Sequence, residues 1–459
     1  MSTIHSERAH EILKQRDKVD HHDATFWQLR LGRDKMAKGL PEWESLRDHA
    51  SAIKRHTLTH LADYLEQFSS QLESRGVIVH WAKDANELNE MVYGILESHK
   101  VTKMVKSKSM LTEECGLNAY LEQRGIDVVE TDLGERILQL MHRAPAHIVV
   151  PAMHITKEEV AQTFEAKGIS TDKGNTDPTY LTYCARKSLR HEFMEAGAGL
   201  TGCNFGVAKT GDIVVCTNEG NADMTTSMPK LHIVTMGIEK LVPDYESLAV
   251  FQRLLCRSAT GQPTTGFTSH FRQARPGAEM HVVLLDNWRS DALANPEHWE
   301  ALKCIRCGAC MNTCPVYRRS TGASYTYFIP GPIGVDLGML ANARHYSDNV
   351  SACSLCLSCD NVCPAEVKPG SQIYLWRQSL DGIGKADHLK KFMSEGMELL
   401  FDHPTLYTDA LKLSPLANFV PEMLTHYSHL NPWGLGHAKP KFANQSFHGW
   451  WKEQQKKKK

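Results

Sequence analysis

Eight of the thirteen cysteines in this 459-residue chain fall into two runs of one spacing. The first is Cys304-Ile-Arg-Cys307-Gly-Ala-Cys310-Met-Asn-Thr-Cys314-Pro315, and the second is Cys353-Ser-Leu-Cys356-Leu-Ser-Cys359-Asp-Asn-Val-Cys363-Pro364. Both read C-x2-C-x2-C-x3-C-P, the pattern that holds bacterial-type [4Fe–4S] clusters. Three thiolates spaced along a tight loop wrap three iron corners of a cube. The fourth, followed by proline, starts a new element that points elsewhere, and in two-cluster ferredoxins it ligates the other cluster. The spacing therefore predicts two [4Fe–4S] clusters, one on Cys304, Cys307, Cys310 and Cys363, the other on Cys353, Cys356, Cys359 and Cys314. Structural zinc takes two separated Cys pairs, and a third Cys two residues on, repeated in both runs, does not follow that plan. Disulfides need an oxidising compartment, and no segment of the sequence directs the chain to one.

Other motifs carry less. Gly197-Ala-Gly199-Leu-Thr-Gly202 matches G-x-G-x-x-G, but that fingerprint binds a dinucleotide only after a strand and at the start of a helix. Here a helical stretch precedes it and strand-like sequence follows, so the glycines are expected to serve tight turns. Thr217-Asn218-Glu219-Gly220-Asn221 follows a predicted strand and reads either as a turn or as the lip of a ligand crevice. The 24 histidines include His142, His147 and His154, whose spacing is not H-E-x-x-H and which no acidic residue completes. Cys115, Cys184, Cys203, Cys216 and Cys256 stand alone and are expected to behave as small buried hydrophobes. A G-x-S-x-G nucleophile elbow is absent.

The elements that must position the cysteines come from the rest of the chain. Lys+Arg 52 against Asp+Glu 53 leaves a net charge of −1, so no basic field draws in nucleic acid. No stretch approaches the ~18 apolar residues of a membrane span. The first ten residues lack the apolar core of a signal peptide, which predicts a reducing, cytoplasmic location. Residues 1–58 read as an N-terminal helical arm with Phe26, Trp27, Trp43 and Leu46 as anchors, and 50–72 continues at helical spacing.

Strands and helices then alternate. Strands are expected at 77–81, 101–105, 126–129 and 147–150, with helices at 85–98, 110–123, 135–142 and 157–167. This is the pattern of a parallel sheet with helices on both faces. A long helix over 178–195 leads into strand-like segments at 206–211, 212–216 and 231–235. A helix over 245–257 and a strand over 280–285 complete an α/β domain at 59–289. Asn295 and Pro296 predict a helix start before Cys304. Between the runs, 328–334 reads as a loop and 335–346 as a helix. The runs thus form an internally repeated α-helical module at 290–375, followed by a helical extension and lysine tail at 376–459.

With both halves in view, the chain resembles the iron–sulfur subunits of bacterial L-lactate utilisation, the lactate utilization protein B family. The resemblance lies in Ser109-Met-Leu-Thr-Glu-Glu-Cys-Gly-Leu-Asn118, in 143–152, in 210–222, in His232-Ile-Val-Thr-Met-Gly-Ile-Glu-Lys240, in both cysteine runs and in Ser446-Phe-His-Gly-Trp-Trp451. It implies a three-layer α/β domain like that of CoA transferases and sugar-phosphate isomerases, followed by a ferredoxin-type module. It also implies a three-component cytoplasmic complex oxidising L-lactate to pyruvate. A cysteine-rich-domain protein and a small lactate-utilisation-domain protein would be the partners. Family members are credited with two [4Fe–4S] clusters. Some have only three cysteines in the second run, which makes Cys353 the least secured ligand. CoA transferases of this fold use a glutamate near a Glu-Asn-Gly turn. Glu219 stands in a similar but reordered Asn-Glu-Gly-Asn, so Glu219 and Asn221 are pocket candidates.

The expectation is an electron-transferring subunit rather than a complete catalyst. Two alternatives stay open, the same role with another 2-hydroxy acid such as glycolate, and a binding or scaffold module whose clusters are structural.

Overall fold

The computed structural model describes residues 4–385, 388–421 and 439–458. The chain divides into one unit over residues 1–383 and a second over 384–459.

The first unit is built around a six-stranded, wholly parallel sheet. Its strands are β1 (Ile78–Ala82), β2 (Lys103–Lys106), β3 (Asp127–Glu130), β4 (Ala198–Thr201), β7 (Leu231–Gly237) and β10 (Glu279–Leu285), in the order β1-β10-β7-β4-β2-β3. Alternation along the strands sends side chains to two different cores. Leu231 and Ile233 of β7, with Val283 and Leu285 of β10, pack with Leu88, Val92, Leu96 and Leu117 from the helices Ala85–Ser98 and Leu117–Glu122. Val234 and Met236, with Val282 and Leu284, face the opposite way, toward Leu61, Phe68 and Leu72 of the helix Leu61–Glu73.

That second face departs from the expected plan of helices alone. It is shared with a four-stranded sheet of β5 (Phe205–Val207), β6 (Asp212–Thr217), β8 (Leu241–Val242) and β9 (Phe267–Phe271), in the order β8-β5-β6-β9. Ile213 and Val215 of β6 and Leu241 of β8 enter the same core as Val234 and Met236. The result is an α/β domain of three layers, followed by a helical module that carries the cysteine runs.

Several local expectations are corrected. The segment 147–150 is not a strand but a loop. The His147 ring captures its backbone, Nδ1 accepting from the N–H groups of Val149 and Val150 at 3.1 Å each, so those donors are not free for a ladder. The helix expected over 110–123 is two, Met110–Glu114 and Leu117–Glu122, broken where Gly116 takes φ +63°. The helix expected over 50–72 likewise breaks at His60. Pro296 starts no regular helix: Asn295 closes a turn onto the Glu297 N–H, and a short 3-10 helix, Trp299–Lys303, leads into Cys304. The stretch 328–334 is a loop only as far as Pro330, since a helix begins at Gly331 and runs to Tyr346. Gly199 serves no turn. It lies inside β4, where a Cβ would come within 1.9 Å of the Thr225 carbonyl oxygen, so glycine is there to let a helix approach the strand.

The N-terminal helices Ile4–Leu13, Arg16–Lys38 and Trp43–Thr59 pack inward. Phe26 and Trp43 are buried in one core with Met311, Tyr317 and Ile333 of the cysteine module, each contributing roughly 1.5–3 kcal/mol by burial. Trp27 is instead 40% exposed. In the second unit, helices span His388–Asp402, Pro404–Leu413 and Phe447–Lys457, the last carrying Trp450 and Trp451. No helix among the described residues is long and apolar enough to cross a membrane.

Candidate functional site

The two cysteine runs repeat in backbone as well as in spacing. Each begins where a 3-10 helix ends, Trp299–Lys303 before Cys304 and Ser347–Ala352 before Cys353. The residues flanking the second cysteine of each run are left-handed: Arg306 (φ +61°) and Gly308 (+75°) in the first, Leu355 (+56°) and Leu357 (+56°) in the second. Left-handed backbone costs a non-glycine residue roughly 1–2 kcal/mol, and three of these four positions bear that cost. It folds each loop back so that its first three thiols share one side. The N–H groups of Arg306 and Leu355 then point at Cys304 Sγ (3.4 Å) and Cys353 Sγ (3.3 Å). A short helix carries the third cysteine in both runs, Ala309–Thr313 and Ser358–Val362. The fourth thiol accepts from the next element, Cys314 from the Tyr317 N–H (3.4 Å) and Cys363 from the Val367 N–H (3.3 Å).

The thiols fall into two neighbourhoods. Burial pushes Cys307 up, followed by the charges of Cys363 and Cys304; burial, Cys304 and Cys307 do the same to Cys310. Burial pushes Cys363 up to about 11, with Cys304 adding to it. In the other group, burial pushes Cys314 up to about 11, with Cys353 and Cys356 adding; burial and then the Asp360 charge push Cys359 up, with Cys314 and Cys353 adding. The structure thus brings Cys304, Cys307, Cys310 and Cys363 together, and Cys314, Cys353, Cys356 and Cys359 together. Cys310 also feels Cys359, so the groups adjoin. Two groups of four thiols, fed by backbone N–H groups, form donor sets that fit cationic iron–sulfur cores. The groups differ in exposure: Cys307 and Cys310 are buried, whereas Cys356 is exposed.

Two neighbours hold the module. From the N-terminal helices, Arg33 Nη2 donates to the Val362 carbonyl (3.0 Å) and Arg47 Nε to the Cys363 carbonyl (2.9 Å). From the α/β domain, the loop around His147 braces the first run. His147 Nε2 meets Asn312 Oδ1 at 3.1 Å, the Ala146 carbonyl accepts from Tyr317 Oη at 2.7 Å, and a Cβ on Gly308 would lie 2.9 Å from the His147 ring. Burial lowers His147 to about 3, so its ring stays neutral, donating through Nε2 and accepting through Nδ1.

Between this module and the carboxyl ends of β2, β4, β6 and β7 lies a cavity of about 350 Å³. Carboxyl edges are where open α/β sheets place ligands, and the volume is that of a small-molecule site. Arg306, from between the first two cysteines, lines it together with Lys240, Asn221 and Glu219. Both sequence-selected pocket residues are therefore on its wall. The turn 217–221 is a turn and a crevice lip at once, for it ends at the N-terminus of the helix Asn221–Ser227. Burial and then the Asp132 charge push Glu219 up to about 7, while the Leu133 N–H and Lys108 pull the other way.

The floor of the cavity is a buried charge network. Arg289, 1% exposed, donates two bonds to Glu114 (2.9 and 3.0 Å) and one to Glu239 (2.6 Å). Burial raises Glu239, but Arg289, Lys240 and Arg306 outweigh it and hold the carboxyl down at about 2. Lys54, from the N-terminal helices, donates to the carbonyls of Glu239 and Leu241. Arg306 Nη2 approaches Glu239 at 3.6 Å.

Two family models match the chain. The LUD domain covers residues 65–285 and the 4Fe-4S dicluster domain residues 300–367. A lactate utilization protein B of Shouchella clausii is 38% identical over 441 residues, spanning 94% of this chain and 92% of that one. The chain belongs to the lactate utilization protein B family. A lactate utilization protein B of Oceanobacillus iheyensis is also 38% identical, over 455 residues with the same shares of both chains. An Escherichia coli relative named "uncharacterized electron transport protein YkgF" is 36% identical over 442 residues, 93% of this chain and 92% of its own.

Sequence reasoning missed Arg306, Lys240, Arg289 and Glu114. Arg306 had a signal, a lone cation between two cysteines of a ligand run. Lys240 ends one of the family-like segments. Arg289 and Glu114 are 175 residues apart, and no local pattern joins them. The glycines 197–202 form no dinucleotide turn, since β4 occupies 198–201. Instead Gly202 lines the cavity, where a Cβ would meet Ser109 Oγ at 3.0 Å.

Proposed function

We propose that the chain is the iron–sulfur electron-transfer subunit of a cytoplasmic complex that oxidises L-lactate to pyruvate. On this reading Cys304, Cys307, Cys310 and Cys363 hold one [4Fe–4S] cluster and Cys314, Cys353, Cys356 and Cys359 the other. Residues 59–289 act as the lactate-utilisation domain and 290–375 as the cluster module, flanked by the helices of 1–58 and the extension of 376–459. A cysteine-rich-domain subunit and a small lactate-utilisation-domain subunit are the partners, and the catalyst is the assembly rather than this chain alone.

The observation that carries the reading is the ordering of the two thiol groups. The first loop reaches the cavity through Arg306, the groups adjoin through Cys310 and Cys359, and the second opens to solvent at Cys356. A [4Fe–4S] cluster, when bound, takes up and gives back one electron at a time, which splits the two electrons of lactate oxidation into single transfers. The chain's own residues do the rest. The N–H groups of Arg306, Leu355, Tyr317 and Val367 donate to four of the sulfurs and favour their charged form. Burial of Cys307 and Cys310 shields that side of the first group from water. Exposure of the second gives an acceptor a way in.

Anaerobic purification with iron and sulfide analysis should find about eight of each per chain; four would leave one run incomplete, Cys353 first. A Cys307→Ser strain should fail to grow on L-lactate. Normal growth with the protein still abundant would end the electron-transfer reading, and turnover of glycolate but not lactate by the assembled complex would replace the substrate.

A further inference from the structure

We infer that the cavity between the carboxyl edge of the parallel sheet and the first cysteine loop binds a short-chain 2-hydroxy or 2-oxo carboxylate, with Arg306 and Lys240 holding its carboxylate. The inference rests on the lactate-oxidising reading and adds where in this chain the acid sits.

Unsatisfied groups point to it. Arg306 has a side chain only 10% exposed, and its Nη1 has no hydrogen-bond partner. Asn221, 7% exposed and on the same cavity, has an Oδ1 with none. Lys240 makes no hydrogen bond or ion pair with another described residue and is half-buried on the cavity wall. Buried polar groups in native proteins nearly always have partners, and a buried cation left unbonded is the costliest kind to leave so. A donor cation and an amide acceptor orphaned in one cavity describe a ligand with an anionic end and a hydroxyl beside it.

Charge agrees. Four cations on the cavity wall, Lys108, Lys240, Arg289 and Arg306, face four carboxyl groups, Glu114, Asp132, Glu219 and Glu239, and Arg289 takes both Glu114 and Glu239. Arg306 reaches Glu239 only at 3.6 Å, which leaves its guanidinium fork incompletely paired. Glu219, raised to about 7, is partly protonated near neutrality and adds less than a full negative charge to the wall. A carboxylate matches a guanidinium fork directly. The remaining wall suits a short carbon chain, with Ile148, Val149, Phe328 and Ile329 on one side. The side-chain amide of Asn221 can donate or accept, so it serves an oxo group as well as a hydroxyl. Because the Arg306 backbone N–H also reaches Cys304 Sγ, an anion on its side chain sits against the first thiol group and changes the field there.

The test uses the cluster-loaded full chain, purified anaerobically. Calorimetric titration with L-lactate, pyruvate and glycolate, and with acetate and inorganic phosphate as controls, should give one site that prefers the 2-substituted acids. EPR of the reduced protein should change on adding the bound acid. Arg306→Gln, Lys240→Met and Asn221→Ala should each weaken binding at least tenfold, or ~1.4 kcal/mol. Asn221→Ala is remote from the cysteines, so its iron content should equal that of the parent, which separates ligand loss from a damaged cluster. The inference is overturned by absence of saturable binding well above millimolar acid, by equal binding of acetate and phosphate, or by unchanged affinity in all three variants. None of those results touches the electron-transfer reading, which the growth of the Cys307→Ser strain decides independently.

Discussion

Replacing Arg289 with methionine keeps most of the side chain's apolar volume and removes the cation that supports the cavity floor. It deletes the bonds to Glu114 and Glu239 and those to the carbonyls of Asp286 (3.0 Å) and Asn287 (3.3 Å). Glu114 and Glu239 are 6% and 2% exposed at their side chains. Breaking a buried ion pair by removing one partner costs about 3–5 kcal/mol. An unfolding entropy of ~2.1 cal/mol/K per residue gives roughly 0.8 kcal/mol/K for a unit of this size. The melting temperature of Arg289→Met should therefore fall by about 4–6 °C at pH 7.5 in differential scanning calorimetry.

The pH dependence sharpens the same test. In the native protein Glu239 sits at about 2, below its ordinary 4.5, so its contribution is in place above pH 4.5 and lost as pH falls from 4.5 toward 2. Without Arg289 the largest opposing charge is gone and the folded carboxyl should titrate closer to 4.5. The variant's deficit then narrows as pH falls from 4.5 toward 2. A second change, Glu239→Gln, should restore part of the loss at pH 7.5. A drop under about 1 °C, or a deficit that grows on acidification, would refute the reasoning.

Three more outcomes are expected. Gly199→Ala drives a methyl into the Thr225 carbonyl; overpacking costs about 1–3 kcal/mol, and because the displaced helix begins at Asn221, acid binding should weaken with it, whereas a fully stable variant would show that the helix shifts freely. Arg47→Ala removes the 2.9 Å bond to the Cys363 carbonyl, and iron should be lost to a chelator several-fold faster than from the parent; equal rates would mean that the arm does not guard the ligand loop. Burial lowers His232 to about 3 from an ordinary 6.5, so the unfolded chain takes up a proton that the folded one refuses, and stability is lost as pH falls from 6.5 toward 3; His232→Gln should flatten that slope by up to ~1.4 kcal/mol per pH unit in urea denaturation, and an unaltered slope would count against it.

How far the sequence reveals this molecule depends on the distance over which each feature is decided. The cysteine runs are legible because their geometry is local, with every angle that turns the loop lying between Cys304 and Cys310 or between Cys353 and Cys359. The strands at 231–237 and 279–285 are legible because β-branched and aliphatic residues continue on both faces of a buried parallel strand. The segment His147-Ile-Val-Val150 has the same composition and a different fate, since its backbone is claimed by its own histidine and its ring by Asn312, which lies 165 residues on. Gly199 was misread for a related reason, because what excludes a side chain there is the carbonyl of Thr225. At the site, Glu219 and Asn221 were visible as polar residues past a strand end. The cations that complete the cavity, Arg306, Lys240 and Arg289, come from three separate regions, and folding alone gathers them.

The two arginines that clasp the second cysteine run have a consequence for how the protein is made. Arg33 and Val362 are 329 residues apart, and Arg47 and Cys363 are 316 apart. At ~5–20 residues per second of bacterial-type synthesis, the N-terminal helices leave the ribosome roughly 15–60 s before the carbonyls they bind exist. During that interval the apolar faces of Phe26 and Trp43 have no module to cover. The clasp closes only after Cys363 has emerged. The N-terminal helices are thus synthesised first and bonded to the second run only once it has emerged.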